Sequence, residues 1–319
     1  MTSLPRIAPM LATPGPLPSA STDASYAYEV KQDGQRCIAY LPGDGTVELR
    51  SRSGTNITPA YPDLSDLGTA LGSLPAVLDG EIVAPDSEGH ADFQRLQSRM
   101  GLAGSPARAA RVAKQVPAHL VLFDVLFLNT ENLARTVYSE RRTTLEDLDL
   151  TGPSWSTPTA IVGHGQQTLE MTRSAGLEGL VAKRLTSLYE PGIRSRSWIK
   201  IRNVKTADII VGGWIPGHGR LANLPGALLM GQPRPDGLQY VGSVGTGWTD
   251  ADRTRLAAAL ADLAIRTCPF TEQPSVAGAR WVTPYLVAEV RYTSRTRVGR
   301  LRHPSWHRLR PDLGPDNLL

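Results

Sequence analysis

Short apolar stretches that carry one to three charged residues recur along this chain, and glycine and proline separate them. These stretches are Tyr26–Val30, Ala76–Val83, His119–Leu128, Leu177–Arg184 and Ser197–Arg202. They have the length of strands, and the 30 glycines and 25 prolines of the chain favour short elements joined by turns. Charged residues within such strands are rarely buried unless they are paired or bind a ligand. The pattern predicts strands whose charged residues are candidates for function.

Composition narrows the class of protein. The 319 residues fit about two domains, and a hydrophobic content of 41% is ordinary for a globular protein. No apolar run approaches the ~20 residues of a membrane helix, and no signal peptide is evident, so we expect no membrane partner. Cys37 and Cys268 are too few for a four-cysteine zinc site, and the six histidines lack ligand spacing. We expect a reduced, cytoplasmic setting.

The pattern of predicted elements changes near residues 203–206, which predicts one domain over residues 1–204 and another over 205–319. The first 25 residues are rich in Pro, Ser, Thr and Ala and are predicted to be an extended or mobile lead-in, not a packed element. Beyond the boundary, short strands with glycine turns precede a helix that opens with a capping box, Thr249 to Asp252. Strands in that order, with one helix, are typical of a small barrel of the OB type.

One lysine lies between the halves of the first predicted strand pair. In Lys31-Gln32-Asp33-Gly34-Gln35-Arg36 it has a carboxylate, a glycine and an arginine beside it. This grouping suits covalent nucleotidyl transfer, in which a lysine needs neighbours for metal and phosphate. Taken alone, the pattern favours a tight Asp-Gly turn with a solvated lysine.

Other charged residues lie in predicted strands. Glu81 is flanked by apolar residues, which makes it a stronger candidate than a surface glutamate. Glu178 and Lys183 are five residues apart and would lie on opposite faces of a regular strand. Lys200 and Arg202 would share a face with Trp198, and two cations on one face favour an anion such as phosphate.

A basic segment closes the chain. It contains seven arginines and no acid: Arg291, Arg295, Arg297, Arg300, Arg302, Arg308 and Arg310. Solvated charge is the ordinary explanation of such a run. Tyr292 and Trp306 are interleaved with the arginines, which favours contact with nucleic-acid phosphates.

The lysine motif is followed, in order, by four others across nearly the full chain. They are Asp79-Gly80-Glu81, Phe123-Asp124, Glu178-Gly179-Leu180-Val181 and Trp198-Ile199-Lys200-Ile201-Arg202. In this order the set resembles the motifs of covalent nucleotidyltransferases, and the chain is similar to small bacterial ATP-dependent DNA ligases related to the ligase module of the end-joining machinery. The resemblance implies an α+β fold: an adenylation (nucleotidyltransferase, ATP-grasp-like) domain with antiparallel sheets and helices, followed by an OB-fold β-barrel.

The resemblance also implies a reaction and a set of roles. Lys31 would attack the α-phosphate of ATP, AMP would pass to the 5′-phosphate of a nick, and the 3′-hydroxyl would displace AMP. Phe123 would stack on adenine, and Arg36 and Glu81 would contact the ribose. The implied partner is nicked double-stranded DNA, met by a monomer associated with the nucleoid, with an end-binding protein such as Ku as a further partner.

Charged residues receive the remaining roles from the resemblance. Glu178, helped by Asp33, would hold Mg²⁺ or Mn²⁺, the ions that oxygen ligands favour. The AMP phosphate would be held by Lys200, Lys183 and Arg202.

Four arginines complete the set. Arg52 and Arg194 would meet the 5′-phosphate of the nick. Arg302 and Arg310 would belong to the last motif, which reaches the pyrophosphate side of ATP, and Arg302 is also predicted to contact DNA.

Departures from the family pattern leave alternatives open. Gln32 stands where relatives often have Trp, Arg202 replaces a common lysine, and no basic residue follows Asp312. The large N-terminal DNA-binding domain of some ligases has no counterpart here, which predicts weaker gripping of the nick. The alternatives are an RNA ligase, a capping-type guanylyltransferase, and a nick- or end-binding homologue with weak or no catalysis.

Overall fold

The computed structural model describes residues 4–318 and divides the chain into two compact units, Met1–Asn203 and Val204–Leu319. Within the described residues, no helix is both long and apolar enough to cross a membrane.

The first unit contains two sheets and four α-helices. Its strands are β1 (Leu11–Pro14), β2 (Tyr26–Val30), β3 (Gln35–Leu41), β4 (Glu48–Ser51), β5 (Ala76–Val83), β6 (His119–Leu128), β7 (Glu131–Asn132), β8 (Trp155–Ser156), β9 (Ile161–Val162), β10 (Gly179–Arg184) and β11 (Arg194–Arg202). Its helices are α1 (Phe93–Gln97), α2 (Pro106–Gln115), α3 (Tyr138–Asp147) and α4 (Gly165–Ser174). The predicted strands Tyr26–Val30, Ala76–Val83 and His119–Leu128 are confirmed with the same bounds.

The two sheets pack face to face. One has the strand order β1-β11-β10-β2-β9, and the other has the order β4-β3-β5-β6-β7 with β8 beside β6. Apolar side chains from both, among them Ile38, Val77, Leu126 and Trp198, form a shared core between the sheets. Helices cover the outer face of each sheet. The strands of both sheets therefore present their other face to the space between the sheets.

The first part of the N-terminal lead-in is packed, and the prediction that it is not a packed element is wrong for residues 4–14. Strand β1 pairs in parallel with β11, and Met10 is completely buried. The backbone carbonyl of Met10 also accepts a hydrogen bond from Arg36 at 3.1 Å. Backbone pairing and one buried methionine stabilise a segment whose composition lacks a strand pattern; residues 1–3 lie outside the described part.

The second unit is built mainly from one sheet. Its elements are β12 (Lys205–Pro216), β13 (Pro225–Arg234), β14 (Gly237–Val244), α5 (Asp250–Asp262), β15 (Ala264–Ile265), β16 (Arg280–Val282), β17 (Val287–Tyr292), β18 (Ser294–Arg295), β19 (Leu301–Arg302) and β20 (Ser305–Leu309). The predicted capping box is present: Thr249 and Asp252 bond reciprocally at the start of α5.

The sheet of the second unit does not form the closed barrel that was predicted. Its order is β14-β13-β12-β16-β15, with β17 between β12 and β20, and β18 pairs only with β19. Among the described strands, no pairing joins the ends of this path. The strands β15 and β16 have only two and three residues, which is too short to carry a continuous ladder around the sheet.

Candidate active site

A cavity of about 200 Å³ lies between the two sheets of the first unit. Its walls come from β1, β2, β10 and β11 on one side and from β3, β5 and β6 on the other. The lining residues include Phe123 and most of the charged residues predicted from the sequence: Lys31, Arg36, Arg52, Glu81, Lys183, Arg194 and Lys200.

Strand register explains how these residues meet. Across β2, β10 and β11, one row is Glu29, Val181 and Lys200, and a second row is Ala27, Lys183 and Trp198. These rows are two residues apart on each strand, so their side chains point to the same side of the sheet. Trp198 and Lys200 do share a face, as predicted, and that face is a wall of the cavity.

Lys31 follows the last residue of β2 and lies at one end of the cavity. Its backbone N–H donates to the carbonyl of Gly179 at 2.9 Å, which fixes its backbone beside β10. Its ammonium group donates to a carboxylate oxygen of Glu178 and to the carbonyl of Gln32, the latter at 3.3 Å. Arg202 approaches the other oxygen of Glu178 at 3.3 Å.

Gly179 explains why Glu178 reaches Lys31 although Lys183, on the same strand, lines the cavity. Its φ is +137°, and a Cβ there would lie 2.1 Å from the carbonyl oxygen of Ile201. The strand is therefore irregular at its first residue, and face alternation does not extend back to Glu178. The prediction of opposite faces assumed a regular strand, which this glycine prevents.

We call the side of the cavity around Lys31 the cationic end. Lys200, Arg52 and Arg194 line it. Burial lowers the pKa of Lys200, and the neighbouring charges of Arg202, Arg194, Lys31 and Arg52 lower it further. The side chains of Lys200 and Arg52 form no hydrogen bond or ion pair with any residue in the described range 4–318. Such a concentration of positive charge is unfavourable until an anion binds.

We call the opposite side, formed by Phe123, Trp198, Lys183 and Glu29, the aromatic end. The rings of Phe123 and Trp198 meet edge to face, with centroids 6.4 Å apart. Phe123 is only partly buried, so part of its ring remains accessible from the cavity. Trp198 is buried and forms the floor.

Arg36 and Glu81 lie between the two ends. Arg36 forms a two-pronged ion pair with the buried Asp79, with both N–O distances at 2.6 Å, and its guanidinium lies 4.6 Å from the ring centre of Phe123. Tyr189 donates to the same carboxylate at 2.6 Å. Burial raises the pKa of Glu81 to about 7, although the charges of Arg36 and Lys31 oppose the shift.

Sequence reasoning missed Glu29, which lines the cavity at the aromatic end. Its carboxylate accepts a hydrogen bond from the hydroxyl of Tyr138 and forms an ion pair with Lys183 at 2.8 Å. Glu29 is 3% exposed. The signal was available, because a carboxylate within a buried strand is the same feature that singled out Glu81.

Some predicted residues do not line the cavity. Asp33 is in the turn between β2 and β3 and does not line the cavity. Lys183 does line it, and its ammonium group contacts Glu29 and donates to the carbonyl of Phe123 at 3.0 Å. Arg302 and Arg310 belong to the second unit. Arg310 is held there by Asp208 at 2.9 Å and by Asp312 at 2.8 Å.

Comparison with known proteins agrees with this architecture. The family model described as "ATP dependent DNA ligase domain" matches residues 9–202, and the model described as "ATP dependent DNA ligase C terminal region" matches residues 222–313. The fold is that of a nucleotidyltransferase domain followed by an OB-fold domain, as predicted, without a closed barrel.

Individual relatives lead to the same family. The chain is 40% identical over 316 residues to the multifunctional non-homologous end joining protein LigD of Mycolicibacterium smegmatis, a match that covers 98% of this chain and 39% of that protein. The crystal structure of the ligase domain of LigD from M. tuberculosis is 39% identical, covers 98% of both chains and has a TM-score of 0.57. A mycobacterial DNA ligase D complexed with ATP and MES is 38% identical, with 98% of both chains covered and a TM-score of 0.57.

The chain belongs to the ATP-dependent DNA ligase family. It spans about two fifths of the length of the LigD proteins that it matches.

Proposed function

We propose that this chain is an ATP-dependent DNA ligase that first attaches AMP to Lys31 and then seals a nick in duplex DNA. The observation that carries the proposal is the position of Lys31, at one end of a cavity whose opposite end is aromatic. Unpaired cations surround the lysine, while the aromatic end offers a ring face and a buried carboxylate. These ends suit the phosphates and the base of one nucleotide.

The first step needs a neutral lysine and stabilised phosphate charge. The Nζ atom of Lys31 attacks the α-phosphorus of ATP, the new P–N bond replaces the P–O bond to pyrophosphate, and the amine gives up its proton. Lys200, Arg52 and Arg194 are placed to stabilise the charge that develops on the phosphate oxygens.

The aromatic end favours adenine over guanine. The Phe123 ring offers a stacking face. The carboxylate of Glu29 accepts hydrogen bonds and therefore complements the 6-amino group of adenine, whereas the 6-oxo group of guanine offers another acceptor. Arg36 and Glu81 lie between the base and the phosphates, where the ribose would be. This arrangement supports ATP as the substrate and weighs against the capping-type alternative.

The carboxylates near Lys31 fit a divalent cation. Glu81 and Glu178 interact electrostatically, and both provide the hard oxygen donors that Mg²⁺ and Mn²⁺ prefer. Among residues 4–318, no three His, Cys, Asp or Glu side chains form a ready cluster. Two carboxylates plus substrate phosphates are nevertheless a common magnesium environment. A bound ion would neutralise phosphate charge; we place it at Glu178, with Glu81 beside it and Asp33 further away.

Later steps need DNA. The exposed Arg52 and Arg194 are candidates for the 5′-phosphate of the nick, and Arg302 is a candidate for contact with the duplex. The relatives named for non-homologous end joining suggest repair of broken DNA, with a Ku-like end-binding partner. We propose that the chain acts as a monomer in the cytoplasm, at the nucleoid.

One experiment tests the proposal. Intact mass is measured after incubation with ATP and Mg²⁺, and the product is then mixed with a nicked duplex. We expect one added AMP, and its loss on sealing. DNA binding without any adduct would instead indicate a non-catalytic homologue.

Substrate comparisons separate the remaining alternatives. Parallel incubations with ATP and GTP test the nucleotide, and an adduct from GTP alone would contradict the ligase assignment. Nicked DNA and nicked RNA duplexes offered to the AMP-loaded protein test the strand. Preferential sealing of the RNA nick would favour the RNA ligase alternative.

A further inference from the structure

Four residues close a ring of hydrogen bonds beside the cavity. The Nη2 atom of Arg36 donates to the carbonyl of Met10 at 3.1 Å and to one carboxylate oxygen of Asp79 at 2.6 Å. The hydroxyl of Tyr189 donates to the same oxygen of Asp79 at 2.6 Å and accepts from the backbone N–H of Met10 at 2.9 Å. The ring therefore joins β3, β5, the N-terminal segment and the connection between β10 and β11.

Arg36 is the member of this ring that lines the cavity. Its Nε and Nη2 atoms are both used by the ring, since Nε donates to the other carboxylate oxygen of Asp79 at 2.6 Å. Its Nη1 atom donates no hydrogen bond to any residue of the described range 4–318. Nη1 is therefore the donor of Arg36 that remains for a bound nucleotide.

The two-pronged pair fixes Arg36 and Asp79 relative to each other, but each side chain can still rotate about its own bonds. Two further contacts anchor the pair to the surrounding structure. The Tyr189 hydroxyl holds Asp79, and the Met10 carbonyl holds Arg36. Because Met10 also donates to Tyr189, the two anchors support each other.

Tyr189 is itself held rigidly. It is 3% exposed, and its ring meets that of Trp198 edge to face, with centroids 5.8 Å apart. Its backbone N–H donates to the carbonyl of Ala134 at 3.0 Å. Burial raises the pKa of Tyr189, and the charge of Asp79 raises it further, so the hydroxyl keeps its proton and donates. None of the contacts of the ring or the backbone depends on the hydroxyl.

We propose that Tyr189 is a positioning residue for recognition of the nucleotide sugar, because its hydroxyl anchors the Arg36–Asp79 pair and so places the Nη1 donor of Arg36. This inference rests on the proposed formation of a lysine–AMP adduct, with the ribose between the two ends of the cavity. Tyr189 does not line the cavity and acts through Arg36. Loss of its hydroxyl should weaken discrimination between sugars although every group that lines the cavity is retained.

The test compares ATP with its 2′,3′-dideoxy analogue, which keeps the base and the phosphates but lacks both sugar hydroxyls. Initial rates of adduct formation at subsaturating nucleotide are measured by intact mass for the wild type and for Tyr189→Phe. We expect Tyr189→Phe to reduce the ratio of the ATP rate to the dideoxy rate by about threefold or more, because a misplaced donor loses its contact with the sugar. A slower reaction with an unchanged ratio would overturn the inference, since a purely structural loss slows both nucleotides equally.

Tyr40→Phe is the matched control. The hydroxyl of Tyr40 is also buried and also holds the N-terminal segment, through the N–H and the carbonyl of Ile7 at 3.1 and 3.2 Å, but it does not contact Asp79. Both variants should unfold at a lower temperature than the wild type, whereas the ratio should change in Tyr189→Phe alone. Equal changes of the ratio in the two variants would overturn the inference, because a looser N-terminal segment would then be a sufficient cause.

A second variant covers the case in which Tyr189→Phe does not fold. Asp79→Asn keeps the shape of the side chain but has one acceptor oxygen, so the two-pronged pair with Arg36 cannot form. Thermal unfolding verifies that each variant folds. Asp79→Asn should show the same low ratio, and retention of the wild-type ratio would overturn the inference. A wild type that reacts equally fast with both nucleotides would also overturn it, whereas one that forms no adduct with either would refute the proposed function itself.

Discussion

The two ends of the cavity differ in whether their charged side chains are paired within the protein. At the aromatic end, Glu29 is paired with Lys183, and Arg36 beside it is paired with Asp79. At the cationic end, Lys200 and Arg52 have no partner among the residues that the structure describes. The aromatic end is therefore organised by the protein alone, whereas the cationic end is completed by its ligand. Substitutions near the aromatic end should therefore affect mainly the free energy of unfolding. Substitutions at the cationic end should affect mainly the rate of adduct formation.

The largest effect is expected at Lys31, the residue that would carry the adduct. Lys31→Ala should abolish the added mass of AMP, because it removes the amine that forms the P–N bond. Intact mass after ATP and Mg²⁺ provides the measurement. Lys114→Ala is the matched control, since Lys114 is exposed on α2 and does not line the cavity. Wild-type labelling in Lys31→Ala would refute the assignment of the nucleophile.

A large loss of stability is expected behind the aromatic end. Arg141 and Asp124 are both completely buried and form a two-pronged pair at 2.8 and 2.9 Å. Arg141→Met leaves Asp124 unpaired and should reduce the free energy of unfolding by about 3–5 kcal/mol. Arg173→Met, which breaks the exposed pair with Glu170, should cost about 1 kcal/mol or less. Similar losses in urea unfolding would contradict the contrast.

Lys200 tests the opposite behaviour at the cationic end. Lys200→Met should slow adduct formation by about 100-fold, because a cation that stabilises phosphate charge is lost. Stability should not fall, because the change relieves repulsion from Arg202, Arg194 and other neighbouring cations. Rates by intact mass and urea unfolding without nucleotide are compared with Lys114→Met. A marked loss of stability would show that this end is also organised without its ligand.

The smallest effect concerns pH and Glu81, midway between the ends. Its pKa is raised to about 7 in the folded protein, above the ~4.3 of an unfolded chain. The folded state therefore holds the proton more tightly, and the stability gained from this is complete below about pH 4.3 and is lost as pH rises to about 7.

Glu81→Gln removes that loss. Between pH 5 and pH 8, the free energy of unfolding should fall less in Glu81→Gln than in the wild type, by about 1–3 kcal/mol. Urea unfolding without Mg²⁺ and nucleotide measures it. Glu131→Gln, at an exposed glutamate of β7, should leave the wild-type pH dependence unchanged.

Much of the fold could be predicted from the sequence, because apolar runs and turn residues are local signals. The bounds of β2, β5 and β6 follow directly from them, and so does the capping box of α5. Strand β1 could not be predicted from the sequence, because its stability comes from pairing with β11, about 180 residues later, and from burial of Met10. Closure of the second sheet depends likewise on pairings between distant strands.

The features of the site likewise divide into those that the sequence predicted and those that it did not. The ordered motifs predicted the residues that meet in the cavity, since each motif lies in or beside a strand that reaches it. Pairing partners were harder to predict, because they depend on side-chain positions across strands. The ion pair between Lys183 and Glu29, on neighbouring strands, is one such pairing that the sequence did not predict.

Gly179 shows that a residue without functional groups can limit how this family changes over time. Any side chain there would collide with the backbone of Ile201 and Arg202 and would also need an unfavourable φ. Glu178 could no longer approach Lys31 from its present direction, although every reactive group would still be encoded. A library that randomises Gly179 and selects for nick sealing should return glycine almost alone. Positions such as this one, which no search for reactive groups would select, decide which substitutions the site tolerates.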